Sequence, residues 1–268
     1  MVKDESRQMT GQEGVVDGPI VRCVRMIRLL AETETDISIK DAAQHLGLPA
    51  STTHRLLRVL LHEGLVAKDP TTSRYRSGLE LERLGSLLAF KKGFRDITRP
   101  HLQRVADHCG EACMFVAYLP ATHQVSIMAA VNSLHPLRYE IELYVPHSVV
   151  WGATGRSIFA FLPEEEQRAI AEKAERSPGT GTPLPPWKGL KAELDAIRER
   201  GFVVTQGQKL KGAVGIGAPI RNSAGNVIGS FCITVPEIRF DPSKEESLGH
   251  LLMTEAASFS NSVGRTID

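Results

Sequence analysis

Residues 39–78 read IKDAAQHLGLPASTTHRLLRVLLHEGLVAKDPTTSRYRSG, two short helical patterns around a Gly turn followed by a short basic hairpin. Nothing else in the chain limits its fold as tightly. This is the layout of a winged helix-turn-helix, in which a small apolar core holds one helix with a polar, Arg-bearing face outward. Ala42, Ala43 and Leu46 form the stripe of the first helix, with Ser38 as its N-cap and Gly47 as its breaker. Leu48 and Pro49 lead into a second helix predicted from about Ser51 to His62, with Thr53, Leu56, Leu57, Leu60 and Leu61 facing inward. Ser51, Thr52, His54, Arg55 and Arg58 are left outside. Hydroxyls beside free helix N-terminal amides suit phosphate, and Arg can take two acceptors on guanine. This face is therefore the one expected to read double-stranded DNA.

Gly64 ends that helix, and Leu65 to Ala67, Asp69 to Ser73 and Arg74 to Arg76 spell strand, turn, strand. Lys68, Arg74 and Arg76 near the tip would add phosphate contacts, which supply affinity rather than sequence discrimination. Alone, such a run can also be a solvated charged surface, the less favoured reading; directly after the helix pair it reads as a wing. Charge agrees with this placement. The whole chain is net +1, but residues 21–92 hold 12 Lys and Arg against 8 Asp and Glu. Upstream, Ile20, Val24, Ile27 and Leu30 repeat at helical spacing with Arg22, Arg25 and Arg28 turned away, which completes a three-helix unit. Downstream, Leu81, Leu84 and Leu88 continue the pattern to Lys92, and Gly93 stops it. The expected organisation is a mobile tail over 1–18, a winged domain over 19–78, a linker helix over 79–93 and a second domain over 94–268.

That second domain opens on a helical face of Leu102, Val105, Ala106 and Cys109, with Pro100 in its first turn and Gly110 as terminator. Ala112 to Leu119 and Gln124 to Val131 form a hairpin by pattern, and another strand is expected near Leu137 to Tyr144. A helix from about Gly155 to Phe161, a charged helix near Pro163, and a helix of Leu190, Leu194 and Ile197 stopping at Gly201 follow. Strands are predicted at Phe202 to Thr205, Ala213 to Pro219 and Val227 to Val235, and a final helix after Asp241 and Pro242 buries Leu248, Leu251, Leu252 and Ala256. The class is α+β, an antiparallel sheet flanked by helices.

Several chemistries find no support. No two histidines stand three or four residues apart on one helix face, and Cys109 and Cys113 lack companions at zinc spacing, so no metal is expected. No phosphate loop or nucleophile-base motif occurs, so neither cofactor nor catalytic residues are expected. Four scattered cysteines and no signal peptide predict a cytoplasmic protein, and no apolar run suggests a membrane span. The competing reading is a small-molecule enzyme or thiol redox sensor with a DNA-binding appendage, using Cys232 or Cys113.

The stretch Leu48-Pro49-Ala50-Ser51-Thr52-Thr53-His54-Arg55-Leu56-Leu57 and the wing exit Tyr75-Arg76-Ser77-Gly78 resemble the IclR family of bacterial transcription regulators. So do Gly155-Arg156, Gly201-Phe202-Val203, and Gly212 with the strand ending at Ala218-Pro219. The resemblance runs from about Pro19 to the last helix. It implies an N-terminal winged helix-turn-helix on operator DNA, a linker helix, and a C-terminal GAF-like domain binding a small effector such as an organic or aromatic acid. It further implies a homodimer or homotetramer on a near-palindromic operator. Carried over by position, the effector would meet Ala153, Thr154, Thr205, Ala213, Gly215, Cys232 and Thr234. Cys232 and Thr234 alternate on one strand and so share a face, which could equally be simple core. Arg138 and Arg156 are read as surface arginines rather than ligand contacts. The chain departs from the family pattern at Trp151 and Gly152, at Val150 where His is frequent, and at Gln208 where Glu is common.

Overall fold

The computed structural model describes residues 18–90 and 94–263, so the expected tail up to Asp17 and the stop at Gly93 lie outside the described residues. The chain divides between Lys91 and Lys92 into two compact units.

In the first unit α1 (Pro19–Glu32), α2 (Ile39–Leu46) and α3 (Ala50–His62) are followed by the hairpin β1 (Val66–Lys68) and β2 (Tyr75–Ser77), then by α4 (Leu79–Phe90). Ser38 caps α2 as expected. Its hydroxyl accepts from the Asp41 amide at 3.1 Å, and the Asp41 carboxylate answers from the other side, so both free ends are satisfied at once. Gly47 takes the left-handed conformation at φ 63 that turns the chain into α3. The core is Met26, Leu30, Ile37, Ala42, Leu57, Leu60, Val66 and Tyr75. Ile37 and Tyr75 exchange backbone bonds of 2.8 Å in both directions, which ties the wing to the segment before α2.

Two expectations for this unit are corrected. In α1 the buried residues are Met26 and Leu30, while Ile20 is 80% and Val24 51% exposed. Leu30 packs as expected and Ile27 lies against the same core, while Met26 takes the place expected of Val24. Leu61 of α3 is 39% exposed, because Leu57 and Leu60 already fill the core beneath it. In α4 Leu81 is half-buried while Leu84 and Leu88 stand exposed, so the stripe of the expected linker helix is left largely open.

The second unit begins with α5 (Phe94–Cys109) and continues through β3 (Ala112–Leu119), β4 (Gln124–Val131) and β5 (Pro146–Ser148). The helices α6 (Gly152–Phe159), α7 (Glu164–Glu172) and α8 (Trp187–Arg200) follow. Then come β6 (Val203–Gln206), β7 (Ala213–Arg221), β8 (Val227–Pro236), two 3₁₀ turns and α9 (Glu245–Val263). The six strands form one antiparallel sheet in the order β5-β4-β3-β8-β7-β6. Alternation divides its side chains between two cores. Cys113, Phe115, Phe231, Ile233, Ile216 and Ala218 pack with Leu102 and Val105 of α5 and with Leu252 and Phe259 of α9. Met114, Val116 and Cys232 face Ile158 and Phe159 of α6 and Leu190 and Leu194 of α8.

Pro100 sits inside α5 rather than in its first turn. It faces solvent beside exposed Asp96, whose carbonyl loses its helical partner there at little cost. The strand expected at Leu137 to Tyr144 is absent; only Pro146–Ser148 pairs with β4. Tyr144, at φ 67, turns the chain before Pro146, and its amide donates to the Ile127 carbonyl at 2.9 Å. α6 starts at Gly152, three residues before the expected Gly155.

Candidate functional site

On α3 the helix is fixed from beneath. Thr53 is fully buried, and its hydroxyl donates to the Pro49 carbonyl at 3.1 Å. Pro49 supplies no side-chain cap, so the first-turn amides of α3 stay open. Ser51, His54, Arg55 and Arg58 are exposed and Thr52 is half-buried, all on the side away from the core. Among the described residues, no hydrogen bond or ion pair engages His54, Arg55 or Arg58. A rigid helix thus carries two guanidiniums and an imidazole outward beside open amides, a set of donors suited to phosphates and base edges.

The wing cations differ among themselves. Arg74 turns back: Nη1 donates to the Asp36 carbonyl at 2.6 Å and Nη2 lies 3.7 Å from Asp41 Oδ2. Lys68 places Nζ 5.8 Å from the centre of the Tyr75 ring. Arg76 is exposed. At the tip, Asp69 accepts from the Thr71 and Thr72 amides at 2.8 and 2.7 Å, and these bonds hold its carboxyl below the usual range. Arg74 is therefore a strut for the wing, while Lys68 and Arg76 project along it.

In the second unit the first turn of α6 lies directly on β7 and β8. Close approach is possible because β7 presents Gly215 and Gly217: a Cβ on Gly215 would stand 2.8 Å from Ala153 Cβ, and one on Gly217 2.8 Å from the Ala153 carbonyl oxygen. All seven residues expected from position, Ala153, Thr154, Thr205, Ala213, Gly215, Cys232 and Thr234, line one cavity of about 40 Å³ under this turn. Gly152, Gln208, Lys209, Leu210 and Ile233 complete the wall. Thr154 is 7% exposed, and its hydroxyl has no hydrogen-bond partner. Cys232 is fully buried, with Sγ 3.4 Å from Ser230 Oγ and 3.9 Å from Ser157 Oγ; burial pushes its thiol up to about 11. Across the opening Gln208 Oε1 accepts from the Gly152 amide at 3.3 Å.

Lys209 is the residue the sequence reasoning missed. A charged residue between Gly207 and Gly212 reads as a solvated loop residue, and only the fold reveals that its stem is laid over α6. Gly152, at φ 73, makes room: a Cβ there would stand 2.9 Å from Lys209 Cβ. Burial pushes the Lys209 ammonium below the usual lysine range. His147 on β5 is also pushed down, first by burial and then by the Lys209 charge. Arg156, expected on the surface, is 3% exposed: Nε donates to the Val150 carbonyl at 2.7 Å and Nη1 to Glu193 at 2.9 Å. It braces α6 against α8. Arg138 is exposed, with Nη1 donating to the His135 carbonyl at 3.3 Å.

Known proteins resemble the chain over both units. Residues 19–70 match the family described as IclR helix-turn-helix domain, and residues 90–261 the one described as bacterial transcriptional regulator IclR C-terminal. The glycerol operon regulatory protein of Streptomyces griseus is 29% identical over 223 residues, covering 82% of this chain and 85% of its own. KipR, an HTH-type transcriptional regulator of Bacillus subtilis, is 26% identical over 258 residues, covering 92% and 97%. An IclR transcriptional regulator from a Silicibacter species superposes with TM-score 0.82 at 18% identity, over 92% of this chain and 96% of that one. An IclR homolog of Microbacterium hydrocarbonoxydans, crystallised with 4-hydroxybenzoate, superposes with TM-score 0.70 at 20% identity, over 93% and 100%.

Proposed function

This chain belongs to the IclR family of bacterial transcriptional regulators, and we propose that it reads its operator with α3 and answers to a small organic or aromatic acid held under α6. The boundaries proposed for this work are a winged domain over 19–78, a linker helix over 79–93 and an effector domain over 94–268. The outward face of α3 carries the reading: Ser51, Thr52, His54, Arg55 and Arg58 project from a helix whose opposite side is locked by Thr53, Leu56, Leu57 and Leu60. Arg55 and Arg58 take base edges in the major groove, and Ser51, Thr52 and the open amides take phosphate. Lys68 and Arg76 of the wing add phosphate contacts, with Arg74 holding the wing in place.

The protein acts in the cytoplasm as a homodimer or homotetramer, so two copies of α3 address a near-palindromic site. Support for the effector reading comes from the cavity at residues 153, 154, 205, 213, 215, 232 and 234, and from the acid bound by the Microbacterium homolog. An effector acts on the operator only through a difference in its affinity for the DNA-bound and free forms. Gel-shift titration against the protein's own upstream promoter tests the whole reading. A specific complex at moderate salt, released or tightened by the effector, is expected; binding no better than to unrelated DNA would refute it.

A further inference from the structure

The cavity under α6 is lined by one cationic residue and one orphaned hydroxyl, and together they specify what the effector must bring. The Lys209 stem crosses Gly152, and the residue lines the same cavity as Thr154 and Cys232. Among the described residues no carboxylate or hydrogen-bond acceptor contacts the ammonium. The surrounding titratable groups are Glu142, whose charge reaches it from the segment before β5, His147 on β5 and the Cys232 thiol on β8. Glu142 is exposed and outside ion-pair distance. Opposite stands the Thr154 hydroxyl, more than nine-tenths buried and without a partner. Trp151, the N-cap of α6, offers its first turn no side-chain acceptor; Gln208 Oε1 takes the Gly152 amide at 3.3 Å, and the Ala153 and Thr154 amides that follow point the same way.

The Lys209 ammonium, the Thr154 hydroxyl and the first-turn amides of α6 beyond Gly152 all favour negative charge in the space these residues line. Leaving them without an anion is costly, because a half-buried ammonium without a counter-ion and a buried hydroxyl without a partner are both penalised. We propose that Lys209 is the specificity-determining residue of the effector site. It selects a carboxylate-bearing molecule whose acid group lies between Lys209 Nζ, Thr154 Oγ1 and the Ala153 and Thr154 amides of α6. This rests on the reading of the cavity as the effector site. The size of the space sharpens the assignment. About 40 Å³ admits a carboxylate and little more, so the remainder of the ligand leaves past Gln208. There Thr205 and Gln208 also line a neighbouring groove of about 330 Å³ against α8. Selection is thus by the acid group inside and by the body outside. Gly152 belongs to the same device, since any side chain at 152 would lift the Lys209 stem off α6.

The test titrates acetate, benzoate and 4-hydroxybenzoate, each beside its neutral amide, into the wild type and into Lys209→Met, Lys209→Arg and Ala153→Leu. Binding is read from tryptophan fluorescence, because Trp151 adjoins the site, and from the melting temperature. At least one acid is expected to bind the wild type, to lose about tenfold to hundredfold affinity in Lys209→Met and to recover part of it in Lys209→Arg. The amides are expected to bind wild type and Lys209→Met alike. Acid affinity unchanged in Lys209→Met, failure of all three acids with the wild type, or tighter binding of the amides would each overturn the proposal. Ala153→Leu separates it from the reading beneath. Loss of acid binding there with none in Lys209→Met keeps the cavity and removes the anchor; acid binding that survives Ala153→Leu removes both. Lys209→Met deletes a desolvated charge and should fold; should it not, Thr154→Val carries the same test, with weaker acid binding expected and unchanged binding counting against the site.

Discussion

Replacing Thr154 by Val removes a single hydroxyl and keeps the outline of the side chain. Both residues are β-branched, so the helical cost at this position changes little. In the wild type the hydroxyl is buried without a partner, a condition that costs about 1 to 3 kcal/mol. The adjoining cavity of about 40 Å³ has room for ordered water, which recovers part of that cost. The net expectation is that Thr154→Val stabilises the effector unit by roughly 1 kcal/mol, or about 2 to 4 °C in melting temperature for a unit of this size. Both tryptophans, Trp151 and Trp187, lie in that unit, so intrinsic fluorescence during thermal or urea unfolding reports it without interference from the DNA-binding unit. The same variant should bind carboxylate ligands more weakly, giving a protein that is more stable and less responsive. A destabilised Thr154→Val would refute the reasoning, for it would mean that the hydroxyl already has a partner in the folded protein.

Other expectations follow from the same structure. Arg55→Ala should weaken specific operator binding by about 1 to 3 kcal/mol, whereas Arg76→Ala should weaken binding to all DNA sequences alike and flatten its salt dependence; equal losses in gel-shift titrations would sink that division of labour. Gly152→Ala places a Cβ 2.9 Å from Lys209 Cβ at a left-handed φ of 73, so it should lower the effector unit's melting temperature and reduce acid binding together, and calorimetry showing one without the other would count against the shared device. Glu255, bonded chiefly to Arg104 and also to His101, has its carboxyl held below the usual glutamate range. The stability it contributes is therefore present above the unfolded value and lost as pH falls through the lower folded one, so Glu255→Gln should flatten the acid limb of the stability profile, and an unchanged limb in pH-dependent urea melts would discount the pair. Burial raises the Cys232 thiol to about 11 and pushes Cys113 up as well, so alkylation of both in the native protein should be slow at neutral pH, and rapid labelling of either would revive a thiol-based function.

The winged helix-turn-helix was legible in the residues because its signals are local. Ser38 and Asp41 form a reciprocal cap within four residues, Gly47 turns the chain by its own φ, and Thr53, Leu56, Leu57 and Leu60 repeat at a period the helix itself imposes. The hairpin of β3 and β4 was equally readable at Ala112–Leu119 and Gln124–Val131. Where two faces could both bury apolar groups, pattern failed: Met26 took the core place expected of Val24, and Ile141 and Leu143 reached half-buried positions in an irregular segment that pattern had taken for a strand.

By itself the sequence determined that a helix with His54, Arg55 and Arg58 outward would form, since spacing along one helix needs no partner from elsewhere in the chain. Only the tertiary structure decided that Lys209 lines a cavity under α6, that Arg156 is a brace rather than a surface charge, and that the Thr154 hydroxyl has no mate. Each of these depends on what a segment dozens of residues away places against the side chain: Gly152 beneath Lys209, Glu193 beside Arg156, and Gly215 and Gly217 letting α6 settle on the sheet. Burial and pairing are properties of contacts between distant segments, and residue order encodes them only through the fold that brings those segments together.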